Sequence, residues 1–362
     1  MRAHVTIEPV QNWETFLSMA VSKAPKRPTP LRDAAPLTQA GLWVVIPCYR
    51  VKAQILTVLE QIPAYVEGVV CVDDACPDGS GDLIEKSVKD GRVHLVRLAV
   101  NQGVGGATLA GYERALALGA KILVKLDGDG QMDTAYLPRL IAPILFGEAD
   151  YAKGNRFTTQ HHLAQMPRTR TIGNAMLSMA AKISTGYWNV FDPTNGFTAI
   201  EASVARMILS RQVDRRYFFE TDLLYHLGTL RAVVRDVPIP ARYGDEVSNL
   251  RIARIMAPFA GKHLRNAARR FVGQYFVRDF TVASLESVLG ILLVAFGGLY
   301  GLVWIATPHE GTAPAGVVMA AALPIIVGVQ LLLQAINYDV LSSPTEPIHT
   351  RLLALDDLDA QA

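Results

Sequence analysis

From residue 42 onward the chain alternates short apolar runs with stretches of helical spacing. Residues 42–49 (LWVVIPCY) form a short apolar run stopped by Pro47, which predicts a buried strand. Residues 51–65 carry helical spacing, and 68–74 (GVVCVDD) read as a second strand that ends in two carboxylates. A helix over 80–89 and a third strand over 93–100 follow. A glycine-rich turn at 103–106 precedes a helix bearing Ala107, Leu109, Ala110 and Tyr112. Residues 121–130 (KILVKLDGDG) predict a fourth strand running into an acidic turn. Such alternation predicts an α/β fold, a mostly parallel sheet with helices on both faces. Ligands of these sheets sit at the carboxyl ends of the strands. Asp73, Asp74, Asp127 and Asp129 all fall there.

The pattern changes near the end of the chain. Residues 287–306 and 315–337 are apolar runs, each reaching the ~20 residues that cross a bilayer. The loop between them, TPHEGTAP, holds no Lys or Arg, whereas Arg265, Arg269, Arg270 and Arg278 precede the first run. The excess of positive charge on that side predicts a cytosolic catalytic part and a cytosolic C-terminus. Between them, residues 251–278 place Lys262, Arg265 and Arg269 on one helical stripe and Leu264, Ala267, Phe271 and Tyr275 on another. That pattern suits an amphipathic helix lying among lipid headgroups. The expected organisation is therefore an N-terminal extension over 1–40, a catalytic domain over 41–250, juxtamembrane helices over 251–280, two transmembrane helices over 281–340 and a tail over 341–362.

Composition narrows the function. Half of the residues are hydrophobic, which fits a membrane part. Lys and Arg number 35 against 33 Asp and Glu, so no general nucleic-acid footprint is expected. The three cysteines, Cys48, Cys71 and Cys76, lack zinc-ligand spacing and read as reduced thiols of a cytosolic compartment. The N-terminal segment has no apolar core of a signal peptide, which agrees with a cytosolic catalytic part. Residues 24–38, rich in proline and basic residues, read as a linker or strap.

The most informative segment is Asp127-Gly-Asp129-Gly-Gln131 at a strand end. Two carboxylates one residue apart can converge on one divalent cation, and oxygen ligands suit Mg²⁺ or Mn²⁺. An EF-hand does not fit, because its glycine position holds Met132 and its bidentate position holds Pro138. The turn Asn101-Gln-Gly103-Val-Gly105-Gly106 has the look of a dinucleotide fingerprint, but Thr108 stands at its third glycine position. Its glycines, Gly105 among them, read either as a backbone-close turn near a nucleotide or as simple turn geometry.

These motifs, in order, resemble family 2 glycosyltransferases of the GT-A fold, near the polyprenyl-phosphate hexose transferases such as dolichyl-phosphate mannose synthases. The likeness spans residues 42–250. Ile46-Pro47-Cys48-Tyr49 resembles the first-strand element that holds the nucleotide, and Val72-Asp73-Asp74 with Asp78 resembles the element for base and ribose. Asp127-Gly-Asp129-Gly-Gln131 resembles the metal site, with Gln131 as a third ligand. Gly154-Asn155-Arg156 resembles a strand end bearing a phosphate-binding arginine, and Arg170, four residues before Asn174, resembles a phosphate clamp. Asp192-Pro-Thr-Asn-Gly196-Phe197 resembles the acceptor-side element, and Arg242-Tyr-Gly244-Asp-Glu-Val-Ser248 resembles the loop that closes over the donor. Asn174 and Asn249 depart from the Ser and Lys that the family often carries there.

The resemblance implies an inverting transfer of a hexose from UDP- or GDP-hexose, with Mg²⁺ or Mn²⁺, to a polyprenyl phosphate at the membrane. Arg156, Arg170 and Arg242 would clamp phosphates. A sugar-hydroxyl acceptor would need a carboxylate base, for which Asp192 and Asp222 are the candidates. Glu220-Thr-Asp222 reads equally as such an acidic pair or as a helix start. A nicotinamide-dependent enzyme using the glycine turn and a non-catalytic membrane scaffold are the other classes. Membrane lipids are expected partners, and the oligomeric state, homo-oligomer or monomer, is left open.

Overall fold

The computed structural model describes residues 35–156, 168–240, 252–309 and 311–352, without the side chains of 35–36, 168–172 and 252–256. After a single helical turn at Ala35–Thr38, the catalytic part alternates strands and helices. In order they are β1 (Leu42–Cys48), α1 (Ile55–Glu60), β2 (Gly68–Asp73), α2 (Ser80–Ser87), β3 (Val93–Arg97) and α3 (Gly103–Ala117). Next come β4 (Ile122–Lys125), α4 (Leu137–Leu145), β5 (Tyr151–Asn155), α5 (Arg168–Thr185), β6 (Thr198–Glu201), α6 (Ala202–Leu209), α7 (Phe219–Leu230) and β7 (Val234–Pro238). The seven strands form one sheet in the order β3-β2-β1-β4-β6-β5-β7. All neighbours pair parallel except β6, which runs antiparallel to both β4 and β5. The expected α/β architecture is therefore present, with one reversed strand that the early alternation did not announce.

Side-chain alternation along β1 shows why both faces need helices. Val44 and Ile46 join one apolar cluster with Ile55 and Val58 of α1 and Leu140 and Ile141 of α4. Trp43 and Val45 join the opposite cluster with Ala107 and Tyr112 of α3 and Leu223 and Leu227 of α7. A strand buried on both faces reads as a continuous apolar run, as residues 42–46 do. The expected helix over 51–65 is shorter, at Ile55–Glu60. The expected turn at 103–106 is the first turn of α3 itself. Asp74 causes this: its two carboxylate oxygens accept the N–H groups of Gln102 (2.7 Å) and Gly103 (2.8 Å), which starts the helix there.

Beyond the sheet, α8 (Ile252–Val272) continues through a π-helical turn at Gly273–Arg278 into α9 (Val282–Ala306) and then α10 (Ala315–Leu341). The last two are long and apolar enough to cross a membrane, with mean hydropathy of 2.3 and 2.4. They pack on one another through small residues. A Cβ on Gly290 would lie 2.9 Å from the Gly328 carbonyl oxygen, so only glycine permits that backbone approach. The basic stripe expected on α8 is partly consumed by the catalytic part. Lys262 pairs with Asp214, and Arg265 approaches Asp222 at 3.9 Å. Arg270 is bound bidentately by Asp339 at the end of α10 (2.8 and 2.7 Å), and Asp339 also accepts the indole N–H of Trp188 (2.7 Å).

The segment expected as a free tail instead returns to the sheet. Asp150, fully buried just before β5, accepts the N–H groups of Val233 (2.7 Å), Ile348 (3.0 Å) and His349 (3.0 Å), and its Oδ1 lies 2.8 Å from the His349 ring. Burial pushes the Asp150 carboxyl up, but these donors outweigh it and hold its pKa below the usual value. A depressed carboxyl contributes stability at neutral pH that is lost as pH falls through its folded pKa, below about 4. Replacing Asp150 with Ala strands four donors and should cost about 3 kcal/mol. Thermal unfolding should show a lower Tm at neutral pH, with the deficit shrinking in acid. Limited proteolysis should cut the variant near residue 345 before the wild type.

Candidate active site

The carboxyl ends of β4 and β5 carry the site. A cavity of about 250 Å³ opens there, lined by Asp127, Asp129, Gln131, Met132, Asp133, Arg156, Thr194, Asn195, Gly196, Phe197, Ile239 and Pro240. Asp127 and Asp129 lie on the turn after β4, and Arg156 on the turn after β5. The loop before β6 supplies residues 194–197.

Asp127 is held from below. Lys125, the last residue of β4 and 1% exposed, donates to Asp127 Oδ1 at 2.7 Å and lies 3.2 Å from Glu220 Oε1. The other oxygen, Oδ2, faces Gly196, where a Cβ would lie 2.6 Å away. Asp129 Oδ1 accepts the N–H of Gln131 at 3.0 Å. Burial opposes the charge on Lys125, but Asp127 and Glu220 outweigh it and lift its pKa above the ordinary lysine value. Lys153 on β5 is also fully buried, and its ammonium donates to the Asn195 carbonyl. Burial prevails there and brings its pKa down to about 8, against the pull of Glu220, Asp192 and Asp236.

This donor set fits a hard divalent cation. Asp127 and Asp129 offer carboxylate oxygens, Gln131 offers an amide oxygen, and the missing side chain at Gly196 leaves Asp127 Oδ2 uncovered. Among the described residues no group of three or more His, Cys, Asp or Glu converges, so these side chains must be supplemented by oxygens from a ligand or water. Asp133, absent from the sequence-based site, lines the same cavity while its Oδ1 accepts the Ala135 N–H at 3.0 Å. The spacing Asp127, Asp129, Asp133 in one turn was the signal for it.

Other expected site residues have different surroundings. Asp192 is fully buried and bound bidentately by Arg156, at 2.8 and 3.1 Å. Asp222 does not reach the cavity. It accepts the Asp214 N–H and the Asn266 amide, each at 2.7 Å, with His226 at 3.6 Å. Burial raises the Asp222 carboxyl, and those partners more than compensate, so its pKa lies below the usual range. A buried, fully partnered and acidified carboxyl is a poor proton acceptor, so these surroundings do not favour the expected base role of Asp222. Asp74, expected at the ligand, accepts two N–H groups of the α3 N-terminus. At Gly105 a Cβ would lie 2.6 Å from the Phe219 ring and 2.7 Å from the Asp214 carbonyl, so close packing requires glycine there.

The ends of β1 and β2 are strained. Arg50 and Ala75 hold positive φ angles of 58° and 49°. Left-handed backbone at non-glycine residues clusters where ligands are bound. Cys76 braces both: its Sγ accepts the Arg50 N–H at 3.0 Å and donates to Asp78 at 2.6 Å, and its N–H donates to Asp73 at 2.9 Å. Asp73 is thereby buried, also 3.5 Å from Arg97, while Tyr49 beside it is exposed and Pro47 is half-buried. None of these lines the cavity. Arg170 lies on α5 with its side chain outside the described residues, as are Arg242 and Ser248 altogether.

Residues 43–209 match the model of "Glycosyl transferase family 2". An undecaprenyl-phosphate mannosyltransferase of Micrococcus luteus is 32% identical over 47% of this chain and 70% of its own length. The chain belongs to glycosyltransferase family 2. Membership overturns the nicotinamide reading of the glycine turn. A second relative, the UDP-N-acetylglucosamine–dolichyl-phosphate N-acetylglucosaminyltransferase of Methanococcus voltae, is 26% identical over 60% of this chain and 92% of its own. Among solved structures, glucosyl-3-phosphoglycerate synthase from Mycobacterium tuberculosis with Mn²⁺ and UDP is 18% identical, covering 65% of this chain and 81% of that one, with a TM-score of 0.47.

Behind this glycosyltransferase cavity, Asp236 on β7 accepts the Asn155 amide (2.8 Å) and the Phe191 N–H (2.9 Å), and its Oδ1 is buried with no hydrogen-bond partner among the described residues. Burial raises its pKa to about 6. Ionised Asp236 therefore costs stability above pH 6, by about 3 kcal/mol, and this cost fades as pH falls towards about 4. Asp236→Asn should raise Tm near pH 8, and the gain should vanish in acid. An equal or lower Tm at pH 8 would contradict the burial account.

Proposed function

We propose that this glycosyltransferase moves a hexose from a nucleotide sugar to a polyprenyl phosphate, with inversion, at the cytosolic face of a membrane. The observation that carries the reading is the cavity itself, with two carboxylates on one wall and Arg156 on another. A bound Mg²⁺ or Mn²⁺ would neutralise charge on the diphosphate leaving group. Asp127 and Asp129, with Gln131, would hold it. Pro47, Tyr49 and Asp73, at the neighbouring strand ends, would hold the nucleoside. Arg156, Arg170 and Arg242 would serve the phosphates, with Ser248 in the closing loop.

The state of the candidate bases supports a phosphate acceptor. Asp222 is saturated by donors, and Asp192 is neutralised by Arg156. A phosphate acceptor is already anionic near pH 7 and needs positioning rather than deprotonation. The relatives named for undecaprenyl and dolichyl phosphates support the same acceptor class. Asp192 then orients Arg156. α9 and α10 would span the bilayer, and the contacts of residues 339–349 with the catalytic part support a topology with both ends of the pair on its side.

Nucleotide release should be measured with UDP- and GDP-hexoses, Mn²⁺ or Mg²⁺, and short-chain polyprenyl phosphate in detergent. One sugar donor should give a lipid product labile to mild acid. Asp129→Ala should lose at least about 100-fold in kcat with an unchanged Tm. Full activity in chelator would refute the metal reading. Glycosylation of only a sugar-bearing or diphosphate-linked lipid would refute the acceptor.

Topology has its own test. A single cysteine placed at residue 312, in a background lacking the native three, should react with an impermeant maleimide only from the face opposite the catalytic part. Labelling from the catalytic side alone would refute two crossings.

A further inference from the structure

We propose that the buried Lys125–Glu220 pair is a positioning device for the cation site: Lys125 fixes one oxygen of Asp127, and Glu220 cancels the lysine charge. The inference rests on the reading of Asp127 as a cation ligand. Lys125 Nζ lies 2.7 Å from Asp127 Oδ1 and 3.2 Å from Glu220 Oε1. Lys125 is 1% exposed, so water cannot screen its charge. Taken alone, a cation locked to Asp127 would repel a second, divalent cation at the same carboxylate. Glu220, 9% exposed in the first turn of α7, supplies the compensating charge from outside the cavity.

Gly196 completes the arrangement. A Cβ there would lie 2.5 Å from Lys125 Nζ and 2.6 Å from Asp127 Oδ2. The main chain thus passes close over the pair and leaves Oδ2 as the oxygen that faces the cavity. Lys125 spends Oδ1, so Asp127 can offer a cation one oxygen in one orientation. Glu220 is then no proton acceptor for substrate, because its carboxylate serves the lysine.

The sign of the effects distinguishes this device from a merely structural ion pair. Glu220→Gln leaves the lysine charge uncompensated and should weaken Mn²⁺ binding by roughly tenfold or more. Lys125→Met removes that charge and should bind Mn²⁺ at least as tightly as wild type, while kcat falls because Asp127 is no longer oriented. A general loss of structure would weaken both. The double variant Lys125→Met/Glu220→Gln should regain most of the affinity lost in Glu220→Gln alone, and Lys125→Arg should keep near-wild-type affinity.

The experiment is a titration of the full-length protein in detergent with Mn²⁺ in the presence of UDP, reading free Mn²⁺ by electron paramagnetic resonance. Tm and kcat are recorded for each variant. Mn²⁺ affinity of Glu220→Gln within twofold of wild type would overturn the proposal, as would a loss of turnover there with affinity unchanged, which would make Glu220 a base. Weaker Mn²⁺ binding by Lys125→Met with a wild-type Tm would overturn it too, and that arm stands even if Glu220→Gln does not fold. Asp127→Asn is the control. If it leaves Mn²⁺ binding intact, the cation reading fails and this proposal falls with it; if it abolishes binding while the pair variants do nothing, only the proposal falls.

Discussion

Two lysines buried in one sheet set the terms for everything near them. Lys125 ends β4 and Lys153 lies in β5, on either side of the reversed strand β6. A buried ammonium is tolerated only with partners. Lys125 takes Asp127 and Glu220, while Lys153 takes the Asn195 carbonyl and the field of Glu220, Asp192 and Asp236. Satisfying them fixes the loop 192–197, the start of α7 and the turn after β4 in one arrangement. The cavity lies between the turn after β4 and that loop, with Arg156, Ile239 and Pro240 on its border, and the start of α7 supports it from outside.

The reversed strand explains the asymmetry of the sheet. Strands β3, β2, β1 and β4 form a parallel half whose ends are shaped by glycine turns and by the strained residues Arg50 and Ala75. Strands β6, β5 and β7 form a second half, where charge rather than turn geometry shapes the edge. Asp127 and Asp129 stand at the seam between them. A ligand there touches both halves, which suits a reaction with a nucleotide on one side and an acceptor on the other.

Much of this was legible in the chain. Period and length gave the parallel half, the two long apolar helices and the acidic turn, because each is a local pattern. The reversed strand β6 was not legible, since Thr198–Glu201 is four residues long and follows an irregular loop. Asp74, Asp222 and Gly105 stood out by position, but the neighbours that hold them are distant in sequence and were not legible: the α3 N-terminus, Asn266 of α8 and Phe219 of α7. Lys125 showed the reverse. A lysine in an apolar strand gave no hint of its two carboxylate partners until α7 was placed against β4. The docking of residues 348–349 on Asp150 was equally hidden, because nothing in the sequence near either end marks the other.

That docking has a consequence for biosynthesis. Asp150 belongs to the sheet, but Ile348 and His349 emerge from the ribosome only after both apolar helices. The catalytic part can therefore collapse early, yet its last buried carboxylate finds its full set of donors only once the helical hairpin is complete. A chain that ends between the two helices lacks three of the four donors to Asp150, so the core of the sheet is completed by the last residues to be made.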